Sequence, residues 1–424
     1  MYERFYAFKN TEVIDGKQFA KNGIKNMMFF PGCSSGAELQ DIFPADMPAI
    51  VVSSGPSLEK NVELLKDIKG NAFIFATDSA VRKVVAQGIN PDAMITIDPN
   101  KSVDNFKVKG IESIPIFVEM YAKTEILEYV KPKNLFFFSS DSIFWSRLFR
   151  EAGSKILNVP SGGSVATAAI ANLITWGFKK IILIGQDLAF TGNRMHAGEA
   201  EIEINTNDSR YMTVKDINGE DVAIRKDYYI YLKWIENVAS KYTDIEFIDA
   251  TEGGALKQYV KQMTFREAID KYCTKNYGNI SDILLSVPRL FEGEDKQLVL
   301  DAFYHMKRDF INMQNQLLIC RDDCLKGEEI LHSQKIDIDK LKRINENIKK
   351  ADELIEDSDE DVFIKKYVAG LEAEMMSDMY KEEKDDIKET IRMYEKSRKY
   401  YDGILNILPE LIELVGDNIR NFNK

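Results

Sequence analysis

The residues that could do chemistry in this 424-residue chain gather at a few short turns. His196 stands in "LIGQDLAFTGNRMHAGEA" (183–200), and an imidazole that titrates near neutrality is the ordinary general base. Asp187, in the same segment, is the second candidate, either as the base or as the group that orients a hydroxyl. Two glycine–serine turns open helical patterns. One is Ser54-Gly55-Pro56-Ser57 in "VVSSGPSLEKNVELL" (51–65). The other is Ser161-Gly162-Gly163-Ser164 in "NVPSGGSVATAAIANLITWG" (158–177), with Thr167 in the turn that follows. Such turns aim backbone N–H groups and a helix dipole at one point, which suits a phosphate. They are equally plain capping geometry: glycine takes φ > 0, proline fits the first helical turn and serine caps it.

Further polar groups sit where apolar runs end. Thr77, Asp78 and Ser79 follow one run, Asp98 to Asn100 another, and Gly185-Gln186-Asp187 a third. Asp78 and Asp98 can accept from paired hydroxyls, or simply form turns. Arg194 can pair with a carboxylate or phosphate, though a surface arginine is the plainer reading. Tyr211, Tyr228 and Tyr229 flank "VKDINGEDV", a hairpin with an Asn218-Gly219 turn that is expected to form a lid. Glu252-Gly253-Gly254 reads as a second loop that closes over a ligand, or as a turn. The other two histidines, His305 and His332, read as helix-surface residues. No G-x-x-x-x-G-K-[ST], G-x-G-x-x-G or G-x-S-x-G occurs, which disfavours a P-loop ATPase, an ordinary dinucleotide site and a serine nucleophile elbow.

These turns need elements to hold them. Short apolar runs at 49–54, 71–77, 93–98, 114–120, 134–140, 179–187 and 245–251 alternate with helical stretches. Runs rich in Ile, Val and Phe between helices predict a mostly parallel, doubly wound α/β sheet, a Rossmann-like domain over 46–278. Ligands of such sheets bind at the carboxyl ends of the strands. Residues 1–45 show no clear period and are expected to form an N-terminal cap or truncated region, with "NMMFFPG" (26–32) a strand or core segment. From 279 to 424 the pattern is helical. Val299, Phe303, Met306, Phe310, Met313, Leu317, Cys320 and Cys324 form one stripe, Leu341 to Ile355 a second, and Ile387, Ile391 and Tyr394 begin a third. This all-α domain is expected to pack on itself and carry no chemistry.

A net charge of −12 argues against a nucleic-acid partner. Four cysteines without zinc-ligand company point to a reduced, cytoplasmic chain, and no apolar run is long enough to span a membrane.

"SSGPSLEKNVELL", "ATDSAVRKVVAQGINPD", "TIDPN", "SGGSVATAAIANLITWGFKKIILIGQDLAFTGNRMHAG" and "DATEGGA" together resemble the motility-associated factor (Maf) family of bacterial flagellin glycosyltransferases. The "GPSL" turn and the "SGG" to "LIGQD" segment also resemble bacterial CMP-sialic acid sialyltransferases. The resemblance covers about 45–275, and the N-terminal portion is short for a Maf protein. It implies transfer of a nonulosonic acid, pseudaminic or legionaminic, from its CMP-activated donor to flagellin Ser or Thr hydroxyls in the cytoplasm, for flagellum assembly and motility. It implies no cofactor and no metal. Gly55, Ser57, Gly163 and Ser164 would steady the leaving phosphate, and a tyrosine would assist. His196 would be the base, and Ser54, Pro56, Thr77, Asp78, Ser79, Asp98, Ser161, Gly162, Thr167, Gly185, Gln186 and Glu252 would line the nucleotide and sugar. Two alternatives stand beside it. One is an ATP- and Mg-dependent 6-hydroxymethylpterin pyrophosphokinase with Asp78, Asp98 and Asp187 as metal ligands. The other is an inactive nucleotide-binding interaction protein. Oligomeric state is left open, a homo-oligomer included.

Overall fold

The computed structural model describes residues 2–140, 143–160, 162–197, 208, 210–356, 358, 361–377 and 385–422. The chain divides into two compact units, one of residues 1–4, 32–141 and 153–290, the other of 5–31, 142–152 and 291–424.

In the first unit each of the seven apolar runs contains a strand. Short Ser34–Ser35 (β1) precedes Ala49–Val52 (β2), Phe73–Thr77 (β3), Ala93–Thr96 (β4), Ile116–Glu119 (β5) and Leu135–Ser139 (β6). Leu157–Asn158 (β7), Lys180–Ile184 (β8), Glu246–Asp249 (β11) and Lys261–Gln262 (β12) complete the sheet. Tyr211–Lys215 (β9) and Asp221–Arg225 (β10) form a separate antiparallel hairpin. The order is β1-β6-β5-β4-β3-β2-β8-β11-β12, with β7 beside β6, and every pairing is parallel. From β2 the chain winds outward through β3 to β6, then returns to β8 on the other side of β2. The order therefore reverses between β2 and β8, and the crevice above that reversal is where such sheets bind ligands.

Burial explains the composition of the runs. Every residue of β2, β3 and β4 is buried, so these strands have no polar face to show. Trp176 packs against Phe73, Phe75 and Phe117 with ring centroids 6.2, 5.7 and 4.9 Å away. Burying each such side chain contributes roughly 1.5–3 kcal/mol, so the platform beneath the strand ends is rigid.

The second unit is helical, with long helices Lys296–His332 and Asp386–Phe422. The first stripe is buried as expected, from Val299 through Phe310 to Cys324. In the second, Ile344, Ala351 and Ile355 are buried; in the third, Tyr394 is buried but Ile387 is exposed. Tyr401 Oη donates to Asp352 (2.7 Å) and Tyr394 Oη to Asn345 Oδ1 (2.7 Å). His305 and His332 are exposed on this unit's helix surface. All four cysteines are free and buried.

The N-terminal expectation is corrected. No cap forms: Tyr2–Asn26 is a 25-residue helix whose residues from Phe5 onward belong to the helical unit. Met27–Phe29 follows as a 3₁₀ turn, and Phe30 packs between Trp145, Phe149 and Phe291. The helix escaped detection because its last turns are buried on opposite sides, Ala20 and Ile24 on one and the polar Asn22 and Asn26 on the other, so no apolar stripe marks it. Residues 32–45 instead join the sheet unit, where β1 pairs with β6 and Trp176 Nε1 donates to the Gly36 carbonyl (2.8 Å). The boundaries at 45 and 278 thus give way to two units interleaved along the chain.

Candidate functional site

A cavity of about 130 Å³ opens at the β2–β8 reversal. Ser53, Ser54 and Gly55 leave β2 into it, and Gly185, Gln186, Asp187 and Leu188 leave β8 beside them. The two chain segments run nearly in contact. Gly55 N–H donates to the Gly185 carbonyl at 2.7 Å, and a Cβ on Gly55 would lie 2.1 Å from Asp187 Oδ2. Gly185 adopts φ 62°, and its Cβ would lie 2.2 Å from the Ser53 carbonyl. Only glycine fits either position.

This closeness corrects the phosphate cradle expected at Ser54-Gly55-Pro56-Ser57. The amides of Gly55 and Ser57 are spent within the protein. Besides the Gly55 bond, Ser57 N–H donates to both oxygens of Asp187 (3.3 and 3.2 Å) and Ser57 Oγ donates to Oδ1 (2.7 Å). Proline has no N–H to offer. The helix that follows, Leu58–Asn61, is a single turn before a 3₁₀ stretch, so its dipole is small.

Asp187 is the acceptor that completes this turn. Burial pushes its carboxyl above the usual carboxylate range, outweighing the Ser57 hydrogen bonds that favour the charged form. A raised folded-state value means the native chain holds this proton better than the unfolded chain. The associated stability is present below the ordinary value of 3.8 and is lost as pH rises through the folded value. Urea midpoints of wild type and Asp187→Asn, compared across pH, are expected to show wild type losing ground to the variant as pH rises. A constant difference would remove the linkage.

The second glycine–serine turn does point into the cleft. Ser164 caps the helix Val165–Thr175 through a reciprocal box. Ser164 Oγ accepts from Thr167 N–H (3.1 Å), while Thr167 Oγ1 accepts from the N–H groups of Ser164 (3.0 Å) and Gly162 (3.1 Å). The box engages three amides, but Val165 and Ala166 stand in the first turn, where no intrahelical acceptor exists. Both line the cavity. They, rather than Gly163 or Ser164, are the amides set to receive an anion. Ser161 lies outside the described residues.

His196 lines the cavity with its Nδ1 3.2 Å from Ser54 Oγ, and the Ala197 N–H fixes its loop to the Ser54 carbonyl (2.9 Å). When Nδ1 donates to Ser54, Nε2 carries the lone pair a base needs. Thr77, Asp78 and Ser79 line the wall from the end of β3. Tyr228 and Tyr231 close the opposite side; burial pushes the Tyr231 hydroxyl up to about 12, so it stays a donor at neutral pH.

Several expected residues stand elsewhere. Asp98 Oδ1 accepts the Asn100 N–H (2.8 Å) as a turn former; it does not line the cavity, though its charge acts on Tyr231, which does. Glu252 Oε1 accepts the Phe265 N–H (2.9 Å) at the start of a helix, and its carbonyl accepts from Lys60 Nζ (2.8 Å). Its loop packs on the turn: Ala255 N–H donates to the Asp187 carbonyl (2.8 Å), and a Cβ on Gly254 would lie 2.1 Å from that carbonyl oxygen. Arg194 pairs with Glu59 (3.1 Å). The Asn218-Gly219 hairpin exists, but it is no free lid. Ile217 N–H reaches Gly254, the Lys215 carbonyl accepts from Leu256, and the Ala223 carbonyl accepts from Phe190. Tyr211 and Tyr229 lie outside the lining. Tyr231 escaped the sequence reading although it follows Tyr228 by three positions in the helix Lys226–Lys241, hence on one face.

A magnesium site built from Asp78, Asp98 and Asp187 is poorly served. Asp78 accepts from Thr96 Oγ1 (2.9 Å) and pairs with Lys101 (3.0 Å), Asp187 is held by Ser57 and Asp98 by its own turn. Among the described residues no three His, Cys, Asp or Glu side chains are grouped to hold a metal.

The fold and cleft define a Rossmann-like α/β protein with its candidate ligand site at the topological switch point. Residues 21–193 match the model of the MptE-like family, described as 6-hydroxymethylpterin diphosphokinase MptE-like. The fold is that of the MAf glycosyltransferase from Magnetospirillum magneticum AMB-1, with a TM-score of 0.59 at 13% identity over 96% of this chain and 60% of that one. An uncharacterized protein of Treponema pallidum (strain Nichols) is 30% identical over 97 residues, 21% of this chain and 41% of that protein. The chain thus spans less than two thirds of either relative's length. Together the family-model and structural matches support the Maf resemblance carried by the motifs. No helix among the described residues is long and apolar enough to cross a membrane.

Proposed function

We propose that this chain is a glycosyltransferase that moves a nonulosonic acid from a CMP-activated donor to Ser or Thr hydroxyls of flagellin. The observation that carries the reading is the cleft at the β2–β8 reversal, where His196 shares one cavity with the first-turn amides of Val165 and Ala166. The fold shared with a MAf glycosyltransferase supports the transferase class, and the donor and acceptor classes rest on the resemblance of the motifs.

The chemistry follows from charge. Cleavage of a CMP-linked keto-sugar releases CMP as a phosphate anion, so leaving needs electrostatic stabilisation more than a strong acid. The Val165 and Ala166 amides and the positive end of an 11-residue helix supply it, the Ser164 hydroxyl proton being donated to Thr167 Oγ1 (3.1 Å). The acceptor hydroxyl attacks an oxocarbenium-like centre and gives its proton to His196 Nε2, while Ser54 orients the ring through Nδ1. Asp187 stays outside the proton path and holds the turn that carries Ser54.

The match to the MptE-like family model favours a second reading, an ATP- and Mg-dependent pyrophosphokinase. Calorimetric titration separates them. The transferase reading expects CMP to bind without metal and ATP·Mg to bind weakly or not at all. A preference for ATP·Mg would overturn it.

A further inference from the structure

We propose that Lys101 and Asp78 hold the Ser79 hydroxyl as a hydrogen-bond acceptor on the cleft wall, so that the cleft reads a ribose hydroxyl of its nucleotide. The inference rests on the nucleotide-binding reading above, but only on the ribose, which CMP and ATP share.

Three groups meet from two loops. Asp78 follows β3 and is fully buried, and Lys101 follows β4 with its side chain 16% exposed. Asp78 Oδ2 accepts from Thr96 Oγ1 at 2.9 Å. Its Oδ1 faces Lys101 Nζ at 3.0 Å and accepts from Ser79 Oγ at 3.2 Å. Lys101 Nζ also donates to Ser79 Oγ at 2.5 Å.

Counting protons fixes the character of Ser79. A hydroxyl has one proton and two lone pairs, and an ammonium group only donates. The Ser79 proton goes to Asp78 and one lone pair receives Lys101, which leaves a single lone pair. Ser79 lines the cavity, so that lone pair is what a ligand meets. A hydroxyl donor is matched there. A phosphate or carboxylate oxygen, which only accepts, is turned away and left to the Val165 and Ala166 amides. Among the described residues that line the cavity there is no lysine or arginine. Lys101 therefore serves the wall indirectly: it neutralises Asp78, which would otherwise repel an anionic ligand. Lys101 is a positioning residue, and Ser79 is the contact.

The test uses the full chain and whichever of CMP or ATP·Mg it binds in calorimetry, compared with the 2′-deoxy and 3′-deoxy forms of that nucleotide. Wild type is expected to bind one deoxy form about tenfold more weakly than the parent. Ser79→Ala is expected to bind parent and deoxy form alike, and Ser79→Thr, which keeps the hydroxyl, to retain the ratio. Lys101→Met is expected to shrink the ratio and Lys101→Arg to preserve it. If Lys101→Met fails to fold, Ser79→Ala decides alone. Equal binding of all three nucleotides by wild type, or a ratio unchanged in Ser79→Ala, would overturn the proposal. A nucleotide bound with the expected ratio but no sugar transfer would count against the transferase reading alone. Binding of neither nucleotide would remove both.

Discussion

Replacing His196 with alanine is expected to lower sugar transfer to the acceptor by about 10²–10⁴-fold while nucleotide affinity holds. The reason is positional. His196 lines the same cavity as the amides that would receive the phosphate, and Ser54 Oγ at 3.2 Å fixes its ring. The donor's own hydrolysis without acceptor offers an internal control. It demands leaving-group departure but no deprotonated serine or threonine, so it should fall much less than transfer. Equal losses in both reactions would move His196 from the acceptor to the leaving group. Full transfer activity in His196→Ala would remove it from the mechanism and leave the base unassigned, since the Asp187 carboxylate is committed to Ser57.

The largest expected effect on stability lies behind the cleft. Lys257 and Asp249 form an ion pair at 2.9 Å with both side chains fully buried. Asp249 Oδ2 also accepts from Gln262 Nε2 (2.9 Å), and Oδ1 from the Thr251 N–H (3.2 Å). Thr251 Oγ1 in turn accepts the Gln186 N–H (3.2 Å) at the cavity wall. Lys257→Met would leave a carboxylate buried without its countercharge, which costs about 3–5 kcal/mol. Domains commonly hold about 5–15 kcal/mol in total, so this is a large fraction. Hydrogen exchange read at the β8 and β11 amides is the suitable measurement, because the two units need not unfold together. The paired change Lys257→Met with Asp249→Asn removes both charges and is expected to recover most of the loss. If the single variant exchanged like wild type, water or rearrangement must reach Asp249, and the buried pair would not stabilise these strands.

How far the site could be read beforehand varies by residue. The strand ends were legible because a fully buried strand is a continuous apolar run, and the first polar residue after it marks the edge. Ser54, Thr77, Asp78, Ser79, Gln186 and Asp187 were found in that way and His196 by its residue type, and all reach one cavity. Asp98 and Glu252 carry the same local signal but bind their own loops, at Asn100 and Phe265. The signal cannot separate them, because a carboxylate that caps a turn and one that faces a ligand look alike in sequence. Lys101 gave no signal at all. It follows a turn as lysines commonly do, and only the meeting of two loops makes it the partner of Asp78.

By itself, the order of residues determined the period of the sheet's seven long strands and of the C-terminal helices, the parallel character of the sheet and the edge where a ligand is expected. Those follow from short-range rules: what side chains can be buried, and where glycine, proline and serine end a strand or start a helix. Tertiary structure alone decided which amides remained for a ligand. The Gly55 and Ser57 amides were lost to Gly185 and Asp187, more than a hundred residues away, while Val165 and Ala166, in the first turn of their helix, line the cleft. It also decided that the N-terminal helix belongs with the C-terminal helices, since a helix end buried on opposite sides, with asparagines on one of them, shows no stripe in its sequence. A hydrogen bond satisfied by a distant carboxylate leaves no trace in the residues near its donor, and there the reading of a sequence stops.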